Sequence, residues 1–432
     1  MKTDILIVGA GCAGLYCALH LPKEKQVLII TKDAVRHSDS FLAQGGICML
    51  KDDSDYESYF EDTMRAGHYE NNPESVEIMI RSSQTVVKEL IRLGVSFQRE
   101  ENGELSFTRE GGHSQKRILF HEDITGKEIT SKLLERVKAR PNVQILEYAA
   151  MLDLLSEDNC CYGAVVRLPD GTVTTVLAET TVLACGGIGG LYRYTTNYRH
   201  LTGDGIAVAF KHGVALEHIN YVQIHPTTLY CDKPQERSFL ISESVRGEGA
   251  VLYNKNMERF VDELLPRDIL TKKIYEQMEK DQTPYVWLSM EHIPKEELTV
   301  HFPNIVKHCR EKGYDVFREC IPVVPAQHYF MGGIRIDLFG RTSMGQLYAV
   351  GETACNGVHG RNRLASNSLL ESLVFAGRAA EEITRQKAGA PVKCQRHMFS
   401  AESLLPYQDE KALAAGYKKT ILNEIERLNN YV

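Results

Sequence analysis

Short apolar runs alternate with glycine-rich turns over the first thirty residues of the chain. Residues 4–8 predict a buried strand, residues 15–19 predict part of a helix, and residues 26–30 predict a second strand. Gly9-Ala-Gly11-Cys-Ala-Gly14 separates the first strand from the helix and has the spacing of a dinucleotide-binding turn. This order of elements predicts FAD or NAD binding, although a glycine turn in another α/β unit would show the same spacing.

Three further stretches carry clear patterns of secondary structure. Residues 73–93 place apolar side chains on one face of a helix that starts at a proline and stops before Gly94. Thr125 and Glu128 have the spacing of a capping box, which predicts a helix start at that point. Residues 143–186 predict short strands that end in a second strand-to-glycine turn, as a two-part cofactor domain would require.

The sequence pattern changes between about residues 219 and 327, where prolines become frequent and predicted strands that end in glycine turns are missing. We therefore predict an α/β, Rossmann-like cofactor-binding domain formed by residues 1–218 and 328–386. Residues 219–327 are predicted to form an inserted α+β capping domain. Residues 387–432 are predicted to form a short helical C-terminal tail.

A loop near the C-terminus combines glycines with three basic side chains. His359, Arg361 and Arg363 lie in this loop, and Ser368 with Glu371 has the spacing of a second capping box. The segment should therefore direct a helix N-terminus and two arginines at one spot over a strand end. A flat cofactor that becomes anionic on reduction, bound beside an acidic substrate, would suit such a spot.

Composition narrows the range of functions. The net charge of −7 over 432 residues argues against a general nucleic-acid binder. Eleven cysteines without a Cys-x-x-Cys pair favour reduced thiols in a cytoplasm over disulfides or metal ligands. We find neither a cleavable signal nor a run of about 18 apolar residues that could span a membrane. The acidic residues between positions 52 and 62 are expected to form a solvated helix face.

Seven polar or charged residues outside the glycine turns could carry chemistry: His225, Ser242, Glu243, Arg246, Arg267, His328 and Arg363. A dicarboxylate requires a cationic or hydrogen-bonding group for each carboxylate, and arginine binds a carboxylate in a bidentate fork. Taken singly, each histidine would more often be a packing residue and each arginine a surface residue. Their spacing along the chain does not show whether they converge.

An ordered set of motifs resembles the flavoprotein family of succinate dehydrogenase, fumarate reductase and L-aspartate oxidase. The resemblance covers about residues 3 to 385 and rests on the segments Gly9 to Gly14, Ala43 to Gly46, His225-Pro-Thr, Arg246-Gly-Glu-Gly, Pro266-Arg-Asp, His328-Tyr-Phe-Met-Gly-Gly and Asn362 to Ser368. It implies FAD as the cofactor and a fold with a capping domain that closes over the flavin ring.

Two positions distinguish branches of this family. Asp39 occupies the place of the histidine that bonds covalently to FAD in respiratory members, which implies noncovalent FAD. The loop around Glu110 looks like that of the L-aspartate oxidases, where a carboxylate would complement the ammonium group of aspartate. The alternative for Glu110 is a solvated acid in a hairpin.

The resemblance also implies a role for each candidate residue. One substrate carboxylate would be bound by Arg363 and His328, and the other by His225 and Ser242, where the family usually has threonine. Arg267 would transfer the proton, and Glu243 and Arg246 would relay it, although arginine normally stays protonated. The residues expected along FAD are Gly9, Ala10, Gly11, Cys12, Ala13, Gly14, Lys32, Asp39, Ser40, Phe41, Leu42, Ala43, Gln44, Gly45, Gly46, Ala149, Ala150, Asp204, Glu352, Ser368 and Leu369.

The implied reaction is the oxidation of L-aspartate to iminoaspartate, by hydride transfer from Cα to flavin N5 and reoxidation by oxygen or fumarate. In this family the product feeds quinolinate formation for NAD biosynthesis, which implies a functional link to quinolinate synthase. The C-terminal three-helix domain of longer L-aspartate oxidases is expected to be absent. The alternatives are a soluble fumarate reductase or succinate-oxidising flavoprotein, the flavoprotein subunit of a membrane complex, and a noncatalytic flavin-binding protein.

Overall fold

A computed structural model describes residues 1–233, 237–386 and 401–429 of the chain. Its helices are α1 (Cys12–His20), α2 (Asp39–Leu42), α3 (Tyr56–Ala66), α4 (Pro73–Leu93), α5 (Thr125–Lys138), α6 (Asp204–Lys211), α7 (Glu243–Gly247), α8 (Arg267–Asp281), α9 (Lys295–His301), α10 (Pro303–Glu311), α11 (Asn367–Arg385) and α12 (Glu410–Asn429). Its strands are β1 (Lys2–Val8), β2 (Val27–Thr31), β3 (Ile47–Cys48), β4 (Ile118–Leu119), β5 (Val143–Glu147), β6 (Ala150–Glu157), β7 (Cys160–Arg167), β8 (Val173–Leu183), β9 (Leu216–Glu217), β10 (Val222–Leu229), β11 (Phe239–Leu240), β12 (Val251–Tyr253), β13 (Val286–Ser289), β14 (Ile321–Phe330), β15 (Gly333–Arg335), β16 (Leu347–Ala349) and β17 (Ala354–Cys355).

A seven-stranded sheet holds the N-terminal glycine turn at the end of β1. Strands β5, β2, β1 and β8 lie side by side and are all parallel, and β16 also pairs with β8 in parallel. Antiparallel β7 and β6 extend the sheet. Side chains of β1 alternate between two cores, with Ile5 and Ile7 in one and Leu6 in the other. The strand is therefore apolar from Ile5 to Val8, because both of its faces are buried there.

A second sheet is antiparallel, with strand order β11-β10-β14-β13-β12. It packs around its own hydrophobic core, which includes Ile241, Leu252 and Ile274. This sheet lies within the range predicted as an inserted domain, and α7 and α8 belong to the same segment. Strand β14 runs across the predicted boundary at residue 327, because Phe330 still pairs with Val222. The exact domain boundaries stay a prediction.

Helix positions follow the sequence pattern more closely than helix caps do. Helix α4 begins at Pro73 and ends at Leu93, with Gly94 in the left-handed conformation that terminates many helices. Helix α5 begins at Thr125, but the predicted capping box is wrong. The Thr125 hydroxyl donates to the carbonyl of Gly45 at 2.5 Å, and Glu128 accepts from the amide of Ser96 at 2.9 Å.

The second predicted capping box is also wrong, although its helix is present. Helix α11 begins at Asn367, and its N-cap is Ser366, which adopts a left-handed conformation. The Ser368 hydroxyl accepts a hydrogen bond from Arg363 at 2.9 Å, and Glu371 accepts one from Asn356. Residues that precede the helix have therefore taken both side chains that the local pattern assigned to the cap.

The acidic stretch between residues 52 and 62 is solvated at Asp52, Asp53, Glu57 and Glu61, as predicted, but the prediction is wrong for two of its aspartates. Asp55 and Asp62 are buried, and their carboxylates bind the fully buried Arg117 at 2.9 Å and 2.7 Å. A buried guanidinium requires such partners because its desolvation is costly. The two aspartates thus anchor the segment that leads from residue 108 to β4.

The described part of the C-terminal tail is helical, as predicted, whereas residues 387–400 and 430–432 lie outside the described residues. A 3-10 helix (Ala401–Tyr407) precedes α12. Ile421 of α12 is fully buried in the same hydrophobic cluster as Ile188, and the Tyr417 hydroxyl donates to the carbonyl of Leu152 at 2.6 Å. Within the described ranges, no helix combines the length and the apolar character needed to cross a bilayer.

Truncating Ile421 should therefore weaken the whole fold. We expect Ile421→Ala to lower the free energy of unfolding by about 2–5 kcal/mol, because it removes a buried side chain and leaves a cavity. The adjacent Leu422 is 41% exposed, so Leu422→Ala should change stability by only about 0.5 kcal/mol. Urea denaturation of both variants measures the difference. Equal losses would show that α12 does not share the core.

Candidate active site

A cavity brings together glycine turns of the parallel sheet and basic side chains of the antiparallel sheet. Of the predicted cofactor residues, those that line it are Gly9, Ala10, Gly11, Cys12, Ala13, Lys32, Asp39, Ser40, Leu42, Ala43, Gln44, Gly45, Gly46, Ala149, Asp204, Glu352, Ser368 and Leu369. The predicted substrate and proton-transfer residues that line the same cavity are Glu110, His225, Ser242, Glu243, Arg267, His328 and Arg363. Side chains that are far apart in the sequence therefore converge.

Four predicted residues lie outside this lining. Gly14 packs α1 against the first turn, since a Cβ there would lie 2.2 Å from the Gly9 carbonyl oxygen. Phe41 packs on the large hydrophobic core. Ala150 faces a small core on the side opposite to Ala149, as successive strand residues do. Arg246 is buried behind Glu243 and donates to a backbone carbonyl.

The first glycine turn leaves backbone donors open to the cavity. Gly9 has φ +118°, and a Cβ there would lie 1.9 Å from the Ala184 carbonyl oxygen, so only glycine fits where the two turns meet. Helix α1 begins after Gly11, with no side-chain cap and no acid in its first turn. The amide of Cys12 donates to the Ser40 hydroxyl at 3.0 Å, and the positive end of the helix suits a pyrophosphate.

Buried acceptors in the cavity lack partners within the described residues. Asp39 accepts from the amide of Tyr198 at 2.9 Å through one oxygen, while its other oxygen has no partner. Burial raises the pKa of Asp39 to about 7. Burial and the charge of Asp39 raise the pKa of Glu352 well above its ordinary value. Unpaired acceptors of this kind fit the hydroxyl and imide groups of FAD, so the residues present suit that cofactor.

Lys32 and Asp204 meet at the edge of the same cavity. The Lys32 ammonium lies 2.8 Å from an oxygen of Asp204 and donates to the carbonyl of His200 at 2.9 Å. Asp204 is the first residue of α6, so its charge also favours the helix N-terminus. Both residues were expected along the cofactor, and the pair holds the end of β2 against α6.

Arg363 is a buried guanidinium without a carboxylate at ion-pair distance among the described residues. It donates to Ser368 at 2.9 Å, its Nε has no partner there, and its guanidinium lies 4.6 Å from the centre of the Tyr329 ring. Burial and the neighbouring charge of Arg267 lower the pKa of Arg363 to about 10. Such a group is stabilised by an incoming anion.

Arg267 is the first residue of α8 and is held from two sides. Its Nε donates to Glu243 at 2.5 Å, and its Nη1 donates to Gln223 at 2.8 Å. Burial alone would raise the pKa of Glu243, but the charges of Arg267 and Arg246 lower it below the ordinary value. Glu243 is therefore ionised, whereas its 3.9 Å separation from Arg246 is too long for a hydrogen bond.

Two neutral imidazoles complete the basic side of the cavity. The rings of His225 and His328 lie edge to face with their centres 5.2 Å apart. Burial, reinforced by the charge of Arg267, lowers the pKa of both histidines well below the ordinary value. His328 Nδ1 is 2.7 Å from the Thr196 hydroxyl, and His225 Nε2 is buried without a partner in the part of the chain described. Both rings can act as uncharged hydrogen-bonding groups.

Glu110 is only 4% exposed, so the alternative of a solvated hairpin acid is wrong. Its two oxygens accept from the hydroxyls of Ser244 at 2.8 Å and Ser366 at 2.6 Å. Burial and the charge of Glu243 raise the pKa of Glu110. A buried carboxylate thus borders the same cavity as the basic groups.

Sequence reasoning missed several side chains that hold the site. Tyr329 and Ser366 lie inside motifs that were recognised, Gln223 and Ser244 lie two residues before the motifs that begin at His225 and Arg246, and Thr196 lies in no such motif. Sequence reasoning also placed two arginines at the site. Arg361 instead lies at the surface, 3.8 Å from Glu70.

Comparisons with known proteins agree with this geometry. A family model described as FAD binding domain matches residues 4–369. L-aspartate oxidase from Clostridium perfringens is 51% identical over 380 residues, which cover 88% of this chain and 86% of that protein. L-aspartate oxidase from Nostoc sp. is 44% identical over 390 residues, which cover 87% and 67%. A solved quinol fumarate reductase chain from E. coli matches with a TM-score of 0.85 and 31% identity, covering 97% of this chain and 74% of that one. The predicted FAD-binding fold is confirmed.

The unpaired charge of Arg363 should cost stability until an anion binds. We expect Arg363→Met to raise the free energy of unfolding of the flavin-loaded protein by about 1 kcal/mol without ligand, and to abolish the stabilisation that an added dicarboxylate gives. Urea denaturation with and without succinate measures both effects. Arg361→Met, in the same loop but at the surface, should keep the succinate effect. Loss of that effect in both variants would contradict the assignment.

Proposed function

Because this chain belongs to the L-aspartate oxidase family of FAD-binding flavoproteins, we propose that it oxidises L-aspartate to iminoaspartate with noncovalently bound FAD. FAD, when bound, supplies the acceptor for a hydride from the aspartate Cα, and oxygen or fumarate takes the electrons afterwards. The observation that carries the proposal is the buried carboxylate of Glu110 beside a cavity with an excess of basic groups.

The charges around the cavity favour an amino dicarboxylate. Two guanidiniums (Arg267 and Arg363) and two carboxylates (Glu110 and Glu243) line the substrate end of the cavity, and both histidines there are neutral. Arg267 is paired with Glu243, whereas Arg363 has no carboxylate partner among the described residues, so Arg363 is available for a substrate carboxylate and Glu110 for a substrate ammonium. Succinate and fumarate have no ammonium and would leave the buried Glu110 carboxylate without a charged partner.

Each substrate carboxylate has a separate set of donors. We assign one carboxylate to Arg363 and His328, because the unpaired Arg363 guanidinium can form a charged hydrogen bond there. We assign the other to His225 and Ser242, which line the same cavity. Glu110 would then receive the ammonium group. Three fixed contacts of this kind orient Cα and distinguish L-aspartate from its mirror image.

The proton lost from the ammonium group needs an acceptor on the chain. Arg267 lies in the cavity wall and is joined to Glu243 by a short hydrogen bond. When Arg267 takes up the substrate proton, it can therefore release another proton to Glu243. Arg246 would continue this relay, but it does not line the cavity and is 3.9 Å from Glu243. We therefore give Arg267 and Glu243 the direct roles and Arg246 a supporting one.

Oxygen consumption with four compounds tests the proposal. L-aspartate should give turnover and hydrogen peroxide, whereas D-aspartate, L-glutamate and succinate should give little. A second candidate, a soluble fumarate reductase, is favoured by the similarity to the E. coli fumarate reductase chain. It predicts fumarate reduction by a reduced dye but no peroxide from L-aspartate. That second pattern would reject the proposed function.

The product gives the reaction its place in metabolism. We propose that iminoaspartate formed here feeds quinolinate formation for NAD biosynthesis in the cytoplasm, with quinolinate synthase as the next enzyme. The ten cysteines in the described part of the chain are all free, which fits a reducing compartment. Quinolinate formed from L-aspartate by the two enzymes together tests this link.

Replacing the proposed proton acceptor should separate chemistry from cofactor binding. We expect Arg267→Leu to lower turnover with L-aspartate by about 1,000-fold or more, because a positioned proton acceptor is lost. The variant should remain yellow. Steady-state turnover and flavin absorbance are the measurements. Arg310→Leu, at an exposed position of α10, is the matched control. Wild-type turnover in Arg267→Leu would remove this residue from the mechanism.

Neutralising Glu110 should alter the choice between substrates. We expect Glu110→Gln to reduce kcat/KM for L-aspartate by about 100-fold, because the buried ammonium loses its charged partner. Fumarate reduction by a reduced dye should change little, since fumarate has no ammonium. Glu104→Gln, at an exposed position of the same loop, should behave as wild type in both assays. Equal losses for aspartate and fumarate would contradict the ammonium contact.

A further inference from the structure

We propose that Ser244 is a specificity-determining residue, because its hydroxyl, together with that of Ser366, holds the Glu110 carboxylate in the orientation that receives an ammonium group. This inference rests on the proposed function and deepens it. Ser244 does not line the cavity, so it acts through Glu110 and is a positioning residue.

The two serines bind opposite oxygens of one carboxylate. Ser244 donates to Glu110 Oε1 at 2.8 Å, and Ser366 donates to Oε2 at 2.6 Å. Ser366 in turn accepts the amide of Gly46 at 3.1 Å, which ties the carboxylate to the cofactor loop. Each carboxylate oxygen has room for a further donor, so a substrate ammonium can be bound without displacing either serine.

A glycine gives the Glu110 carboxylate its space, since a Cβ on Gly45 would lie 2.7 Å from Glu110 Oε1. Glu243 packs against the next residue, because a Cβ on Gly111 would lie 2.3 Å from Glu243 Oε1. The charge of Glu243 raises the pKa of Glu110, so the two like charges repel. Without the hydroxyls, this repulsion would turn the Glu110 side chain away or favour its protonated form.

Glu110 and the two serines that bind it come from three separate parts of the chain. Glu110 lies in the loop before β4, Ser244 lies in α7 of the segment with the antiparallel sheet, and Ser366 is the N-cap of α11. The bond from Ser244 to Glu110 therefore crosses between that segment and the cofactor-binding part. The ammonium site is complete only while these parts are in contact.

The charged groups that face Glu110 are Glu243 and Arg246 on α7, Arg267 on α8 and Arg363 before α11. Burial and Glu243 raise the pKa of Glu110, while the hydrogen bonds from Ser366 and Ser244 and the charge of Arg267 lower it. Removal of the Ser244 hydroxyl should therefore raise this pKa further. Glu110 would then become protonated at a higher pH, and affinity for the ammonium would be lost earlier as pH falls.

The test compares Ser244→Ala with Ser244→Thr, which restores a hydroxyl. We expect Ser244→Ala to raise the KM for L-aspartate about tenfold, the loss typical of one hydrogen bond to a charged group. The acid limb of the aspartate pH profile should move to higher pH. The KM for fumarate should stay within about twofold, and Ser244→Thr should restore most of the aspartate affinity. Ser242 lies 3.3 Å from Ser244, and a disturbance of Ser242 would weaken the binding of both substrates alike. The fumarate assay is therefore also the internal control.

A double variant tests whether Ser244 acts through Glu110. In the Glu110→Gln background, Ser244→Ala should cause no further loss with L-aspartate, because the group that it positions is gone. Full additivity, an unchanged aspartate KM, or equal effects on aspartate and fumarate would each overturn the inference. If the wild-type protein binds L-aspartate without oxidising it, the proposed function fails. The Ser244 variants are then compared by their affinity for L-aspartate, measured from the change in flavin absorbance. That comparison still tests the role of Ser244.

Discussion

A buried guanidinium with no carboxylate at ion-pair distance in the described part of the chain is the constraint on which the rest of the site depends. Arg363 is desolvated next to the start of α11, where the helix dipole is itself positive. The Tyr329 ring and the Ser368 hydroxyl stabilise it only in part. The site therefore favours an anion, and under the proposed function both neutral histidines and Arg267 would serve an anion with two acidic ends.

The fold meets this constraint by placing helix starts from different parts of the chain around one cavity. Glu243 and Arg267 are the first residues of α7 and α8, and Asp204 is the first residue of α6. A carboxylate at a helix start is favoured by the dipole, which offsets part of its burial. The parallel sheet carries the glycine turns proposed for the cofactor, while the segment with the antiparallel sheet carries His225, Ser242, Glu243, Arg267 and His328. The candidate active site thus lies where these two parts of the fold meet.

Local patterns in the sequence predicted local structure well. The apolar runs of β1 and β2 and the ends of α4 follow from neighbouring residues alone. Both capping boxes failed, because Thr125 and Glu371 bind partners that are distant in sequence. The burial of Asp55 with Arg117 left no signal either, since 62 residues separate the two charges.

The composition of the site could be predicted only in part. Periodicity and spacing could not show that His225, Arg267, His328 and Arg363 converge, and the expectation came from the family resemblance. The resemblance named the groups that would touch a substrate, but not the side chains that hold them. Gln223 and Ser244 lie near recognised motifs, but only the fold shows which groups they hold through long-range hydrogen bonds.

A crystal structure of the FAD-bound protein with succinate tests the central claim most directly. We expect one succinate carboxylate within ion-pair distance of Arg363 and hydrogen-bond distance of His328, and the other beside His225 and Ser242, with Arg267 facing the carbon chain. Succinate bound elsewhere, or Arg363 paired with a carboxylate of the protein itself, would contradict the claim that the substrate completes this buried charge.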